Sequence, residues 1–355
     1  MVYISKLTLR NFRGVVKGDI ELAPVTILVG PNNSGKTTVL EAIALAHGFR
    51  PVFGEVSLHD ILSSIHTTYQ SRGLDHLVYN YGVYTPRALV SLQTSTGEIK
   101  TILIDVERDV MNFYLVEDLI EERKEINLEQ LLSLSKHQLE MMGTRIASMN
   151  RFGKETPFAK IGIFQERKVL ADIVIIRSEL MYRIQEFLYS VWTDIVNSGI
   201  TSRVAEWISQ VSGEDYLDIT AEPFGGMPTL YLYRGDRTRV RVGDVGDGVK
   251  ILVLSRILVE YLNPEIVLWD DVESHMNPRA LMLLATWLAE LSEKGKQVVV
   301  TTHSLEALRL IATVASESVS TAVLRLGLEK GVLKAEKLSV EEVEKLKELG
   351  IDVRV

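Results

Sequence analysis

Cysteine is absent from the 355-residue sequence, and long apolar runs are absent as well. Without cysteine there are no disulfide bonds, no thiolate nucleophiles and no zinc sites built on cysteine ligands. No apolar run approaches the roughly 18 residues that a membrane-spanning helix needs. The first residues alternate like a strand and lack the apolar core of a signal peptide, so we expect a cytoplasmic protein with no membrane partner.

Positive charge is also scarce, because 39 Lys and Arg residues face 47 Asp and Glu residues, giving a formal net charge of −8. Non-specific binding of nucleic acid depends on basic side chains that neutralise phosphates. A surface coated with nucleic acid is therefore not expected, although the net charge does not exclude a local basic groove. Apolar residues make up 46% and charged residues 24% of the chain, which is typical of a soluble globular protein.

Strand and helix patterns alternate near both ends of the chain, whereas the middle differs. The apolar runs at 24–30, 266–269 and 297–301 are typical of buried strands, and helical periodicity follows each of them. This alternation predicts a mostly parallel sheet covered on both faces. Between 107 and 212 the character changes to helices, with one apolar face from Ile176 to Ile195, which predicts an inserted helical lobe.

Antiparallel strands are predicted beside the parallel core. Residues 88–106 indicate a hairpin that turns near Gly97, and 216–242 indicate three short strands with a turn at Arg234 to Arg237. The chain is thus predicted to divide into a first half-domain at 1–106, the helical lobe at 107–212 and a second half-domain at 213–355.

Capping residues mark where several helices are predicted to begin. Asn277 precedes a proline at the first helical position, and Ser304 precedes an apolar helix. Two further starts carry a polar residue and, three positions later, Glu or Gln, namely Asn127 with Gln130 and Ser339 with Glu342.

Residues 30–37 read GPNNSGKT and match the phosphate-loop pattern G-x-x-x-x-G-K-[ST], between a predicted strand and a predicted helix. Glycines let backbone N–H groups surround phosphates, Lys36 reaches the β and γ phosphates, and Thr37 offers its hydroxyl to Mg²⁺. A glycine-rich turn without a ligand is the less favoured alternative. ATP and Mg²⁺ are therefore the predicted cofactors, and the other predicted contacts in the loop are Gly30, Asn32, Asn33, Ser34, Gly35 and Thr38.

Three polar residues follow predicted buried strands. Asp270 ends the run IVLWD and is predicted to hold Mg²⁺ through water, because ligands of parallel sheets bind beyond the carboxyl ends of the strands. Asp271 is predicted to be the general base that faces the attacking water. His303, after VVVTT, is a candidate donor to the γ-phosphate. The alternatives are a solvated acidic turn and a structural histidine.

A second glycine-rich stretch, GDVGDGVK at 243–250, leads into an apolar helix. Its glycines would bring backbone N–H groups close to an anion, and the helix start adds partial positive charge. The alternative is an ordinary helix start with Asp247 as the capping residue.

Taken together, LTLRNFRG, ILVGPNNSGKTTVLEAI, GDGVK, IVLWDDVESHMNP and VVVTTHS resemble the ABC-class ATPases of the SMC, RecF and OLD kind, in particular their small stand-alone AAA relatives. The resemblance implies an α/β P-loop NTPase of the SMC-head type. It also implies that Asn11 and Arg13 lie near the nucleotide. Gly246, Asp247 and Gly248 would form the signature loop, which contacts ATP held by the opposite subunit of a head-to-tail homodimer.

The sequence also departs from that family. Asp271 stands where relatives usually have Glu, and Glu273 is the candidate to compensate. The glutamine that usually joins the lobes is represented only by the candidate Gln165. Three functions stay open: an ATPase whose dimerisation acts on DNA-related or defence partners such as a nuclease, a slowly hydrolysing nucleotide-gated binding module, and a P-loop kinase or transport ATPase subunit. The transporter signature L-S-G-G-Q is absent, which disfavours the last.

Overall fold

The computed structural model of the chain describes residues 1–65, 74–83, 85–107, 110–117, 128–150, 168–339 and 341–343. The strands in these ranges are β1 Ile4–Phe12, β2 Val15–Glu21, β3 Val25–Val29, β4 Pro51–Phe53, β5 Val56–Ser57, β6 Arg87–Thr94, β7 Ile99–Glu107, β8 Val110–Glu117, β9 Thr144–Asn150, β10 Ile173–Ile176, β11 Tyr216–Phe224, β12 Met227–Arg234, β13 Arg239–Arg241, β14 Ile266–Trp269, β15 Gln297–Thr301, β16 Thr321–Glu329 and β17 Val332–Leu338. The α-helices are α1 Lys36–Ala44, α2 Leu58–Ile65, α3 Leu128–Ser133, α4 Lys136–Met142, α5 Met181–Ser190, α6 Trp192–Asn197, α7 Ile200–Ser212, α8 Asp247–Leu262, α9 Pro278–Glu293 and α10 Leu305–Ser316.

Twelve strands form one sheet, in the order β10-β14-β15-β3-β16-β17-β2-β1-β6-β7-β8-β9. The first five are parallel to one another, with β3 between β15 and β16. Every residue of β3, β14 and β15 is buried, as expected of strands covered on both faces. Helices α1, α9 and α10 pack against these strands. The predicted α/β fold with a mostly parallel core is confirmed.

Strand β17 joins the parallel core to the rest of the sheet and pairs antiparallel with β16. Strands β17 and β2 pair in parallel over only Val332↔Lys17 and Leu333↔Gly18. Gly18 permits this approach, since a Cβ there would lie 2.9 Å from Leu333 Cβ. Beyond this narrow joint, strands β2, β1, β6, β7, β8 and β9 each pair antiparallel with the next. The predicted hairpin that turns at Gly97 is confirmed within this part, as β6 and β7.

The segment 107–212 requires a correction, because it is not purely helical. It contains α3 to α7, but it also supplies β8, β9 and β10 to the main sheet. The apolar face predicted from Ile176 to Ile195 begins in a strand, since Ile176 ends β10 and the α-helix starts only at Met181. Four consecutive β-branched residues, all buried, favour a strand there whatever the spacing beyond them. The three segment boundaries stay a prediction.

The predicted short strands at 216–242 form a separate three-stranded sheet, β11-β12-β13. The turn at Arg234–Arg237 is confirmed, because the Arg237 N–H donates to the Arg234 carbonyl at 3.0 Å. Helix α7 packs against β11, and β13 leads directly towards the start of α8. Within the described ranges, no helix combines the length and apolar composition that crossing a bilayer demands.

Three predicted helix caps are present. The Asn277 side chain accepts from the Ala280 N–H at 2.9 Å, and Ser304 Oγ accepts from the Ala307 N–H at 3.2 Å. Ser339 and Glu342 exchange reciprocal side-chain to backbone hydrogen bonds of 3.1 and 2.7 Å. Asn127 and Gln165 lie outside the described residues.

Candidate functional site

The phosphate loop leaves the central strand β3 through Gly30. Gly30 has φ +144°, and a Cβ there would lie 2.4 Å from the Leu326 carbonyl oxygen of the neighbouring strand β16. Gly35 precedes α1 with φ +97°, in the left-handed region that favours glycine. Asn32 and Asn33 are exposed, whereas Ser34, Lys36 and Thr38 are buried.

Lys36 is folded over this loop. Its ammonium group donates to the Gly30 carbonyl at 2.8 Å and to the Pro31 carbonyl at 3.0 Å, and the residue is only 7% exposed. Burial lowers the pKa of Lys36, against the attraction of Asp271, Asp270 and Glu273. The amine is therefore held inside the loop, where a phosphate oxygen would replace the carbonyl contacts.

Asp270 is the point at which several elements meet. Its Oδ2 accepts from Thr37 Oγ1 at 3.2 Å and lies 2.6 Å from Arg177 Nη1. Its Oδ1 accepts from Thr301 Oγ1 at 2.5 Å. These partners come from the start of α1 and from the ends of β10 and β15, so the site lies beyond the carboxyl ends of parallel strands.

Asp271 follows in a less common backbone conformation, with φ +51°. Its N–H donates to Thr301 Oγ1 at 2.8 Å, while its carboxylate is half exposed. Burial raises the pKa of Asp271, and the neighbouring Asp270 raises it further. His303 Nε2 lies 3.7 Å from Asp271 Oδ1, so the two residues share one side of the site.

Glu273 lies on the same turn but has a different partner. Its Oε1 accepts from the His303 backbone N–H at 2.7 Å. Its Oε2 is buried and has no hydrogen-bond partner among the described residues. The carboxylate of Glu273 therefore fixes the backbone at His303, and its position differs from that of the Asp271 carboxylate.

Asn11 and Arg13 flank the end of β1, and both have φ +53°. Arg13 Nη1 lies 2.9 Å from Glu41 Oε2, and Glu41 is a 2% exposed residue of α1. The Arg13 N–H donates to the Leu77 carbonyl at 3.0 Å. Arg13 is therefore anchored to the helix that carries the phosphate loop.

The residues present fit ATP with Mg²⁺. Ser34 Oγ is buried in the loop without a hydrogen-bond partner in the described part of the chain, so a polar group is left for a ligand. The hydroxyl of Thr37 donates to the carboxylate of Asp270, so the two groups lie close enough to hold one Mg²⁺ together. The described residues contain no cluster of three or more His, Asp or Glu suited to a metal. Mg²⁺ is commonly held by one or two protein groups together with phosphate oxygens, and Thr37 and Asp270 could supply those groups.

The second glycine-rich loop reaches this site from one side. Gly248 is buried, and a Cβ there would lie 2.5 Å from the His275 carbonyl, on the turn that follows Glu273. Gly246 occupies the cap position of α8 with φ +98°, and both Gly246 and Asp247 are exposed. Asp247 is the first helical residue and not the cap, so the alternative in which Asp247 caps the helix is wrong.

Three contributors to the site were not predicted, namely Arg177, Thr301 and Glu41. Arg177 and Thr301 each stand at the end of a buried strand, which is the signal that identified Asp270. That rule, applied to every apolar run, would have found both. Glu41 carries no such signal, because it is a buried acid on the helical face that packs against Arg13.

Comparisons with known proteins identify relatives of both halves of the site. A family model described as "AAA domain, putative AbiEii toxin, Type IV TA system" matches residues 96–309, more than half of the chain. A model for AAA ATPase domains matches residues 2–67.

Individual relatives match over shorter stretches. The DNA replication and repair protein RecF of Erwinia tasmaniensis is 48% identical over 62 residues, which are 16% of this chain and 17% of that protein. The RecF of Roseiflexus castenholzii is 56% identical over 43 residues, 12% of this chain and 11% of that protein. The OLD nuclease of Thermus scotoductus is 47% identical over 45 residues, 13% of this chain and 8% of that protein. The chain thus spans less than a fifth of the length of these curated relatives.

Two crystal structures show the same fold over nearly the whole chain. The Smc head domain with an extended coiled coil bound to the C-terminal domain of ScpA, from Pyrococcus furiosus, has a TM-score of 0.53 at 13% identity and covers 98% of this chain and 99% of that one. The Smc head domain with a coiled coil and joint from Pyrococcus yayanosii has a TM-score of 0.55 at 12% identity, with 99% and 100% covered.

Proposed function

We propose that this chain, which belongs to the AAA-domain family whose model covers residues 96–309, binds ATP with Mg²⁺ and hydrolyses the bond between the β- and γ-phosphates. The chain is an ABC-class P-loop ATPase of the SMC, RecF and OLD kind. The observation that carries the proposal is the 3.2 Å hydrogen bond from Thr37 Oγ1 to Asp270 Oδ2. It joins the phosphate loop to the acidic end of β14, although 233 residues separate the two along the chain.

Each side chain has a role in this proposal. Backbone N–H groups of the loop and Lys36 bind the phosphates, while Thr37 and Asp270 hold Mg²⁺, which neutralises phosphate charge when it is bound. Asp271 accepts a proton from the attacking water, and its raised pKa suits a base. His303 donates to the γ-phosphate, from a backbone position that Glu273 fixes.

The exposed start of α8 supports a dimer in the ATP-bound state. Gly246 and Asp247 present backbone N–H groups and the positive end of a 16-residue helix towards solvent. We propose that they bind the γ-phosphate of ATP in a second copy of this chain, arranged head to tail, so that two nucleotides lie between the subunits.

Gel filtration with ATP tests the binding and dimer proposals together. We expect the wild type to elute as a dimer with ATP and Mg²⁺, and Lys36→Ala to stay a monomer because the phosphates lose their main side-chain contact. Asp271→Asn serves as the matched control, since it keeps the phosphate loop, and it should accumulate as an ATP-bound dimer. Elution that is independent of nucleotide in all three proteins would contradict the dimer.

A second candidate function is a nucleotide-gated binding module that hydrolyses ATP slowly. Two observations favour it. Asp271 is shorter than the usual glutamate, and Glu273 is hydrogen-bonded to the His303 backbone and so cannot substitute for it. In this case Asp271→Glu should raise a very low turnover of ATP. Fast turnover in the wild type, reduced by the same change, would favour the first candidate.

The names of the relatives suggest two biological tasks, DNA repair and defence, with a nuclease or other effector as the partner. We propose that the ATP-bound dimer acts on a DNA-related partner. The expected result is ATP turnover that rises with added duplex DNA and falls back at high salt, because phosphate contacts weaken as salt increases. ATP turnover that does not change when duplex DNA is added at low salt would contradict a DNA-related partner and favour a protein effector.

A further inference from the structure

Arg177 owes its place beside Asp270 to the register of two strands. Strands β10 and β14 are parallel, with Ile176 opposite Trp269, so the next residue of each strand leaves the sheet at the same level. The Asp270 N–H donates to the Ile176 carbonyl at 3.0 Å, which fixes that level. The pairing of Arg177 with Asp270 is therefore built into the core of the sheet.

The guanidinium group lies between two carboxylates. Its Nη1 is 2.6 Å from Asp270 Oδ2, and its Nε lies 3.2 Å from Glu179 Oε2. The side chains of Arg177 and Asp270 are only 14% and 5% exposed. Such a shielded pair is screened weakly by solvent, and removing either partner leaves an unbalanced charge.

Arg177 uses the same Asp270 oxygen that accepts from Thr37. This is the oxygen that faces the predicted Mg²⁺ position, so a divalent cation and a guanidinium would meet there with like charge. Around Lys36 the acidic residues are Asp270, Asp271 and Glu273, and the fixed cations are Lys36 and Arg177. Glu179, which pairs with Arg177, adds a fourth negative charge, so four negative and two positive charges leave a net charge of −2. Without Arg177 the net charge would be −3, so Arg177 reduces the attraction of the site for a free divalent cation.

ATP changes this balance, because its phosphates bring negative charge to the loop together with oxygens that can bind both Mg²⁺ and a released guanidinium. We infer that Arg177 is a positioning residue that acts as an internal counter-ion, occupying Asp270 until Mg²⁺ arrives together with the nucleotide. The site thereby excludes free Mg²⁺ and accepts the Mg–ATP complex. This inference rests on the proposed ATP site.

The test is a titration of the full chain with Mg²⁺ alone, read out as the unfolding temperature at constant ionic strength. The wild type should respond weakly. Arg177→Met, which removes the charge but keeps an apolar stem of similar length, should bind Mg²⁺ at least about tenfold more tightly, because one nearby positive charge is lost. Arg177→Lys keeps the charge and should behave like the wild type. Arg177→Lys is also the variant to compare with the wild type if Arg177→Met folds poorly.

Arg87→Met is the matched control. Arg87 pairs with Asp105 at 2.7 Å, with side-chain exposures of 15% and 6%, but it lies in β6, five strands from β3 in the sheet. Its loss should leave the Mg²⁺ response unchanged. A response in Arg87→Met equal to that of Arg177→Met would overturn the inference. So would weaker Mg²⁺ binding in both Arg177 variants, since that is the result if Arg177 merely holds Asp270 in place.

A parallel titration in the presence of a non-hydrolysable ATP analogue separates this inference from the proposed function. The Mg²⁺ concentration at half-maximal analogue binding should fall in Arg177→Met and stay unchanged in Arg177→Lys. Failure of the wild type to bind the analogue at all would contradict the proposed function. The titration with Mg²⁺ alone would still decide whether Arg177 excludes free Mg²⁺ from Asp270.

Discussion

The two glycine-rich loops that lead into α1 and α8 look alike in sequence, but their glycines differ in the space around them. In the phosphate loop, Gly30 has no room for a side chain, because a Cβ would lie 2.4 Å from the Leu326 carbonyl of the neighbouring strand. In the loop before α8, Gly243 and Gly246 have no atom within 4 Å of such a Cβ. The first loop is shaped by its own chain. In the second loop the positive φ of Gly246 favours glycine, but no neighbouring atom limits the space at Gly243 or Gly246, which suits a close approach from outside.

Gly248 of the second loop resembles Gly30 of the first, because its own chain leaves no room for a side chain. Gly248 is buried against the His275 carbonyl, on the turn that also carries Asp271 and Glu273. The inner end of the second loop is therefore fixed to the turn that carries Asp271 and Glu273, while its outer end is exposed. A change at the turn would be transmitted to the start of α8 through this contact.

The largest effect should come from Gly30→Ala. The added methyl group meets a backbone oxygen at 2.4 Å, and φ +144° is strained for alanine, so we expect a loss of about 4 kcal/mol in the free energy of unfolding. Urea denaturation measures this, and ATP binding should be lost with it. Gly246→Ala, at φ +98° in open space, is the control and should cost about 1–2 kcal/mol. Equal costs at both positions would break the comparison.

Gly248→Ala should have the next largest effect. Its φ is not positive, so backbone strain is not the issue, but the new methyl group would lie 2.5 Å from the His275 carbonyl. We expect a loss of about 2 kcal/mol in the free energy of unfolding and a lower rate of ATP turnover at saturating ATP. Unchanged stability together with unchanged turnover would show that the loop and the turn are not coupled.

Lys36→Met should raise stability slightly while removing ATP binding, because a buried charge is replaced by an apolar chain of similar length. We expect a gain of about 1 kcal/mol at pH 7. The folded-state pKa of Lys36 is lowered, so the unfolded chain binds more protons and the wild type gains stability as the pH rises towards 10.5. The advantage of the variant should therefore shrink between neutral pH and that value. A constant difference across this range would contradict the burial argument.

The smallest effect on stability should come from Gly243→Ala, which should stay within about 0.5 kcal/mol of the wild type. Gly243 has no atom within 4 Å of an added Cβ, yet a methyl group there would stand between the loop and an incoming phosphate. We expect weaker ATP-dependent dimerisation, measured by sedimentation. Gly327→Ala is the matched control, since Gly327 also has no atom within 4 Å, and it should leave dimerisation unchanged. A dimer of unaltered strength in Gly243→Ala would mean that the outer glycines have no partner.

Much of the central fold could be predicted because local signals agree with one another there. Strands β3, β14 and β15 are continuous apolar runs, each followed by a recognisable loop or cap. The edge strand β10 was read as part of a helix, because Ile176 continues the helical spacing of the apolar residues up to Ile195. Strands β16 and β17 were not predicted, although β16 pairs with β3 and supplies the carbonyl that requires Gly30.

The candidate site divides in the same way. Motif spacing identified the phosphate loop and the acids after β14. The structure places Thr37 beside Asp270, and His303 beside Asp271, beyond the carboxyl ends of the parallel strands. The partners that set their chemistry come from the pairing of distant strands. Arg177 reaches Asp270 because of the register between β10 and β14, and no local pattern reports a register.

The order of the strands in the sheet also affects how the protein is made. Strand β3 ends at residue 29, but its two neighbours, β15 and β16, are completed only at residues 301 and 329. A ribosome adds roughly 5–20 residues per second, so the strand that carries the phosphate loop emerges roughly 15 s to a minute before either neighbour is complete. During that interval both edges of β3 lack the strands with which they pair in the folded sheet. The phosphate loop can therefore take its place between two paired strands only after β16 has been made.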